Sequence, residues 1–180
     1  MIASLRGRLT LKQAPAIIIE CHGVGYEVET PMSTFLELPP TGDEIFLFTH
    51  MVVREDAQTL YGFATEEERA LFRMLLKISG VGAKMGLAVL SSMSVEGFRR
   101  CVEYEDAASL VKVPGIGKKT AERLIIEMRD RIDTPSAQTG TTKVEVEAGA
   151  KSEAVDALVS LGYKPREVQK LIGELDVDGK

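Results

Sequence analysis

The sequence predicts an α+β protein of several small domains: a β-barrel first, an all-helical domain next, then a linker and a small helical module. Three observations lead there. Short β-branched and alternating runs crowd residues 1–63. A helical periodicity begins at Thr65 and carries one motif twice. Residues 133–150 then lose all apolar periodicity before a last pair of helical segments.

In the first segment, Ile2 to Leu11 alternates in part and Ala16 to Glu20 is β-branched. Cys21-His22-Gly23-Val24-Gly25 reads as a turn, leading into the alternating Tyr26-Glu27-Val28-Glu29-Thr30. Pro31 to Leu38 is a connector with room for one helical turn, and Pro39-Pro40-Thr41-Gly42-Asp43 is a strong turn signal. Glu44 to Val53 is a long apolar strand, and Thr59 to Phe63 is the last. About five short strands within residues 1–64 fit a small closed barrel such as the OB-fold, and an SH3-like barrel carries the same signature. Between the last two strands lies Arg54-Glu55-Asp56-Ala57-Gln58, which taken alone reads as a solvated hairpin tip.

Residues 65–132 follow helical rules. Thr65 is an N-cap, with Glu66, Glu67 and Glu68 in the first turn and Glu68 at the capping-box position. Leu71, Phe72, Leu75, Leu76 and Ile78 form the apolar stripe. A short helix follows Ser94, over about Val95 to Tyr104. Another covers Asp106 to Lys112, and the last runs from Lys118 to Arg131. Met85, Met93 and Met128 fall at packing positions.

The repeated motif organises this segment. Leu75 to Leu90 contains Leu76-Lys77-Ile78-Ser79-Gly80-Val81-Gly82-Ala83-Lys84. Leu110 to Ile125 echoes it with Val111-Lys112-Val113-Pro114-Gly115-Ile116-Gly117-Lys118-Lys119-Thr120. Each copy reads as helix, tight hairpin, helix. The first N–H groups of the second helix lack intrahelical partners and sit at the positive end of the macrodipole. Glycines let an anion approach that backbone, so each hairpin suits a phosphate, and the adjacent lysines add charge. Two such hairpins would hold two phosphates without reading bases. The candidate phosphate-binding residues are Gly80, Val81, Gly82 and Lys84 in the first copy. Those of the second are Gly115, Ile116, Gly117, Lys118, Lys119, Thr120 and Arg123. Gly117-Lys118-Lys119-Thr120 is not a Walker A loop, which needs Gly-Lys-Ser/Thr in register, and neither copy has the dinucleotide Gly-x-Gly-x-x-Gly.

Net charge is −5, which alone argues against nucleic acid. Its distribution corrects this. Residues 1–64 hold 4 basic and 8 acidic side chains, residues 65–132 hold 12 and 10, and residues 133–180 hold 6 and 9. Only the hairpin segment is net basic. No apolar run approaches the roughly 20 residues of a membrane span, and the first residues lack a signal-peptide core. Cys21 and Cys101 are far apart, and neither they nor His22 and His50 have metal-ligand spacing. A reduced, cytoplasmic protein with no metal and no cofactor is expected.

Residues 133–150 read as a flexible linker rich in Thr, Ser, Ala, Gly and Glu. Within 151–180, Ser152 caps a helix from Glu153 to Leu161 that stops at Gly162, and Lys164-Pro165 opens another. Such a pair buries little by itself.

Several stretches together carry a family resemblance. They are Gly23-Val24-Gly25-Tyr26-Glu27-Val28, Val52-Val53-Arg54-Glu55-Asp56-Ala57, Leu60-Tyr61-Gly62-Phe63, Gly80-Val81-Gly82, Val113 through Arg123, and Leu161-Gly162-Tyr163. The chain closely resembles the RuvA family over residues 1 to about 172. These are the bacterial Holliday-junction-binding subunits of the RuvAB branch-migration complex. The resemblance implies an OB-fold over 1–64 and a tandem helix-hairpin-helix domain over 65–132. It implies a linker over 133–150 and a UBA-like docking domain over 151–180. Two departures stand out. Ala83 occupies a position where the family commonly has Pro. The chain ends at Asp178-Gly179-Lys180, so the third domain is expected to lack its last helix.

The resemblance also implies a homotetramer, with an octamer on DNA as the alternative, that holds the junction open and square in recombination, repair and the SOS response. Glu55 and Asp56 would form an acidic pin at the crossover, with Arg54 near a phosphate. Leu158, Leu161 and Tyr163 would dock the hexameric RuvB motor, and the RuvC resolvase would join a larger complex. Two other classes compete. A glycosylase or metal-dependent nuclease would need more than the adjacent Glu55-Asp56 pair, whose side chains diverge and lack a third acid or His. A pure interaction adaptor would leave the paired hairpins unexplained.

Overall fold

In the computed structural model of the chain, which describes residues 1–132 together with Leu158 and Val168, β1 runs Ser4–Gln13 and turns Leu5 and Leu9 inward. A register shift between Leu9 and Leu11 breaks the alternation and leaves Leu11 exposed. Such a bulge bends its strand. Before it β1 pairs with β4 (Glu44–Val53) over Ser4 to Arg8, and from Arg8 onward, across the bulge, it pairs with β2 (Ala16–Cys21). Strand β3 (Val24–Glu29) pairs antiparallel with β2, and β5 (Gln58–Phe63) pairs antiparallel with β4. A single parallel contact, Glu29 to Tyr61, joins β3 to β5. The closed order β1-β2-β3-β5-β4 is that of an OB-like barrel, which decides between the two barrels the sequence allowed. Leu5, Leu9, Ile17, Ile19, Val28, Ile45, Leu47 and Leu60 fill it.

The turn expected over Cys21–Gly25 is narrower. Cys21 pairs with Val24, so only His22 and Gly23 turn, both with positive φ (52° and 85°). A two-residue turn of this kind matches the twist of its strands. The connector after β3 holds a short helix, α1 (Met32–Glu37).

Five helices follow: α2 (Glu66–Leu76), α3 (Ala83–Ser92), α4 (Val95–Glu103), α5 (Ala107–Val111) and α6 (Lys118–Ile132). Thr65, Ser94 and Asp106 cap α2, α4 and α5, accepting from the N–H of Glu68 (3.2 Å), Gly97 (3.0 Å) and Ser109 (3.0 Å). The Asp106 carboxyl is held below its usual range, first by the Ser109 hydroxyl and then by the Ser109 N–H. The reciprocal capping box at Glu68 does not form. Its carboxylate instead accepts from the Ser33 hydroxyl (2.7 Å), the Thr34 hydroxyl (2.9 Å) and the Ala64 N–H (3.2 Å). Partners on α1 outcompete the local one because they are hydroxyls already placed beside the start of α2.

The core of the helices is a second cluster that reaches onto the barrel's last strand. Tyr61 and Phe63 of β5 cluster with Leu71, Phe72, Leu75, Leu90, Phe98 and Met128. Phe72, fully buried, lies 4.9 Å from the Phe63 ring, 5.1 Å from Tyr61 and 5.9 Å from His50. Arg69 reinforces the joint, donating to the Ala3 carbonyl (2.6 Å) and stacking over Phe48. Arg73 Nε donates to His50 Nδ1 (3.3 Å). Gly86 permits the close approach of α3 to α2, since a Cβ there would meet the Phe72 ring at 2.9 Å.

The chain divides into two compact units, Met1–Thr134 and Pro135–Lys180. Leu158 and Val168 of the second are helical, the first half-buried and the second buried. The expected linker, and with it Leu161, Tyr163 and the remainder of 151–180, lies outside the described residues.

Candidate nucleic-acid interface

The two hairpins are the same structure built twice. In the first, the N–H groups of Lys77, Ile78 and Val81 donate to the carbonyls of Met74, Leu75 and Ile78. In the second, Lys112, Val113 and Ile116 donate to Ser109, Leu110 and Val113, so every bond recurs 35 positions later. Gly80 and Gly115 take the left-handed corner at φ 82° and 84°. Gly82 N-caps α3 with extended backbone, its carbonyl accepting from Gly86 (3.0 Å) as that of Gly117 accepts from Ala121 (2.9 Å). Helix α3 starts at Ala83, so the missing proline does not move the boundary.

This geometry leaves main-chain donors open. Among the described residues, the N–H groups of Gly82, Ala83 and Lys84, and those of Gly117, Lys118 and Lys119, meet no backbone acceptor. A Cβ at Gly82 or Gly117 would have nothing within 4 Å, so both corners face open space. Unpaired amides at a helix start, with the macrodipole behind them, suit a phosphate oxygen. Lys84, Lys118 and Lys119 are exposed and form no ion pair among the described residues, and Thr120 is half-buried in the first turn of α6.

Three of the expected phosphate ligands sit differently. Val81 and Ile116 are buried, and their N–H groups are consumed inside the turn. Their side chains anchor each hairpin to the core. Arg123, on α6, donates from Nη1 to the Ser79 carbonyl (3.0 Å), tying the second hairpin's helix to the first hairpin. Sequence spacing gives no sign of this tie, because its partner lies 44 positions earlier.

Arg54, Glu55 and Asp56 are exposed at the β4–β5 tip, on the barrel and not on the hairpins. The Arg54 N–H donates to the Ala57 carbonyl (2.8 Å), closing a tight loop that holds the two carboxylates at its apex. No helix among the described residues is long and apolar enough to cross a membrane.

Comparison with known proteins gives three matching family models. They are the RuvA N terminal domain over residues 1–62, the SAM-like helix-hairpin-helix tandem over 72–130, and the RuvA C-terminal domain over 149–179. Similar full-length proteins include the Holliday junction branch migration complex subunit RuvA of Thioalkalivibrio sulfidiphilus. It is 55% identical over 182 residues, covering 98% of this chain and 90% of that protein. The subunit of the same name from Methylococcus capsulatus is 50% identical over 186 residues, covering 100% and 92%. That from Nitrosococcus oceani is 52% identical over 183 residues, covering 99% and 92%.

Proposed function

Because the chain belongs to the RuvA family, we propose that it binds four-way DNA junctions as a homotetramer and delivers them to a RuvB motor for branch migration. The observation that supports this reading is the pair of hairpins with the same hydrogen bonds and with open amides at Gly82 and Gly117. Each protomer holds one duplex arm. The amides of α3 and α6 take phosphate oxygens, and Lys84, Lys118 and Lys119 neutralise neighbouring charge. Phosphate contacts carry no sequence information, so binding is indifferent to sequence. Each neutralised phosphate steepens the salt dependence by about 0.9 in log–log slope.

Glu55 and Asp56 act by repulsion. Four tips around a fourfold axis place eight carboxylates near the crossover, push phosphates outward and keep the arms in an open square. Arg54 beside them takes a phosphate that has moved off the axis. The subunit itself is non-catalytic. The ATPase resides in RuvB, docked through the C-terminal domain at Leu158, Leu161 and Tyr163, and a RuvC resolvase works on the same junction in the cytoplasm.

The test is native mass spectrometry of the protein with a synthetic four-way junction, alongside a salt series against linear duplex. Four or eight copies per junction, tighter binding to the junction and a steep salt slope are expected. One copy per junction, or equal affinity for duplex, overturns the reading.

A further inference from the structure

Arg123 stands apart from the other cations of the hairpin face. Lys84, Lys118 and Lys119 make no ion pair among the described residues. Arg123, though exposed, commits Nη1 to a main-chain carbonyl on the other hairpin, that of Ser79. The same nitrogen lies 3.4 Å from where a Cβ on Gly80 would stand. The guanidinium is therefore laid across the left-handed corner of the first hairpin while its stem belongs to the helix of the second.

We propose that Arg123 is a positioning residue for the phosphate grip, fixing the first hairpin relative to the second by bridging α6 to the Ser79 carbonyl. This rests on the proposed function, since it concerns how that site is held. Two anion sites on one rigid backbone bind a duplex arm together only when their separation matches the phosphates they reach. An unbraced pair must first be ordered, and preorganisation removes that cost. Arginine suits the task because its planar fork fixes direction, whereas a lysine ammonium is a point charge on a flexible stem. The corner glycine serves the same end: a side chain at Gly80 would strain the left-handed backbone that the guanidinium lies across.

The experiment separates a brace from an ordinary phosphate ligand. Junction affinity is measured across a salt series for the parent chain, Arg123→Met and Arg123→Lys, with thermal unfolding of each as a control on folding. The same substitutions are repeated on a Lys84→Glu background, where the first hairpin is already disabled. A brace predicts that both variants bind about tenfold more weakly at one salt concentration, with the parent's salt slope, because the same phosphates are still neutralised once bound. It also predicts that neither adds a further loss on the Lys84→Glu background. A slope reduced by about one in Arg123→Met, with affinity and slope restored in Arg123→Lys, makes Arg123 a direct phosphate ligand and overturns the proposal. So does unchanged affinity in both variants, or a full loss that persists on the Lys84→Glu background. Failure of the parent chain itself to prefer the junction overturns the proposed function instead, and is read before any variant.

Discussion

Gly80 and Gly82 are two residues apart and do different work. Gly80, like Gly115, adopts a positive φ that costs other residues about 1–2 kcal/mol. Gly80→Ala and Gly115→Ala should therefore each lower stability by about that amount in chemical denaturation. Gly82 and Gly117 have neither strain nor neighbours. Serine is a good N-cap, so Gly82→Ser with Gly117→Ser should leave the unfolding midpoint unchanged or slightly raised. Junction binding should fall, because the new hydroxyls occupy the amides a phosphate needs. Full binding by that double variant would show that the amides are not the grip. His50 makes a separate residue-scale prediction. Burial first, then Arg73 and Arg69, push its pKa below 6.5, and Nδ1 is the acceptor for Arg73. The unfolded chain thus takes up the proton more readily. The neutral ring's contribution is complete above about pH 6.5. It is lost as pH falls from there through the lowered folded value. His50→Asn should flatten the difference in melting temperature between pH 7.5 and 5.5, and an unflattened difference would assign the acid sensitivity to other groups.

At the scale of elements, alternation and caps were legible because they are local. Glu44 to Val53 reads as a strand and is one, and Thr65, Ser94 and Asp106 lie where helix starts are signalled. What escaped is long-range. Glu68 finds Ser33 and Thr34 instead of its own helix end, and Arg123 finds Ser79. The bulge after Leu9 is equally invisible, since it answers to the two strands β1 must satisfy at once. Within the candidate site, the hairpin corners at the glycines were legible from the repeat, whereas the burial of Val81 and Ile116 follows from packing. The α2–α3 contact yields its own prediction. Gly86→Val gains helix propensity but drives into the Phe72 ring, and a net loss of about 1–3 kcal/mol is expected in denaturant titrations followed by circular dichroism.

At the scale of the whole molecule, the barrel and the hairpins act as one body within Met1–Thr134, because Phe72 and Glu68 lock α2 against both β5 and α1. The acidic tip is thereby held at a set distance from the amide sites. Glu55→Gln with Asp56→Asn should leave stability within about 0.5 kcal/mol, as expected for exposed side chains. It should strengthen binding to linear duplex and narrow the preference for the four-way form in competition assays. An unchanged preference would remove repulsion from the account.

The openness of Gly82 and Gly117 reaches beyond affinity. Peptide groups do not ionise near neutrality, and they offer no hydroxyl or amine for phosphoryl or acetyl transfer. A contact surface made of them has no side chain to delete, so inheritance can spoil it only by adding atoms. On the proposed grip, acidity and covalent marking would therefore act from elsewhere, through the lysines or the counterions, while the amides stay permanently on.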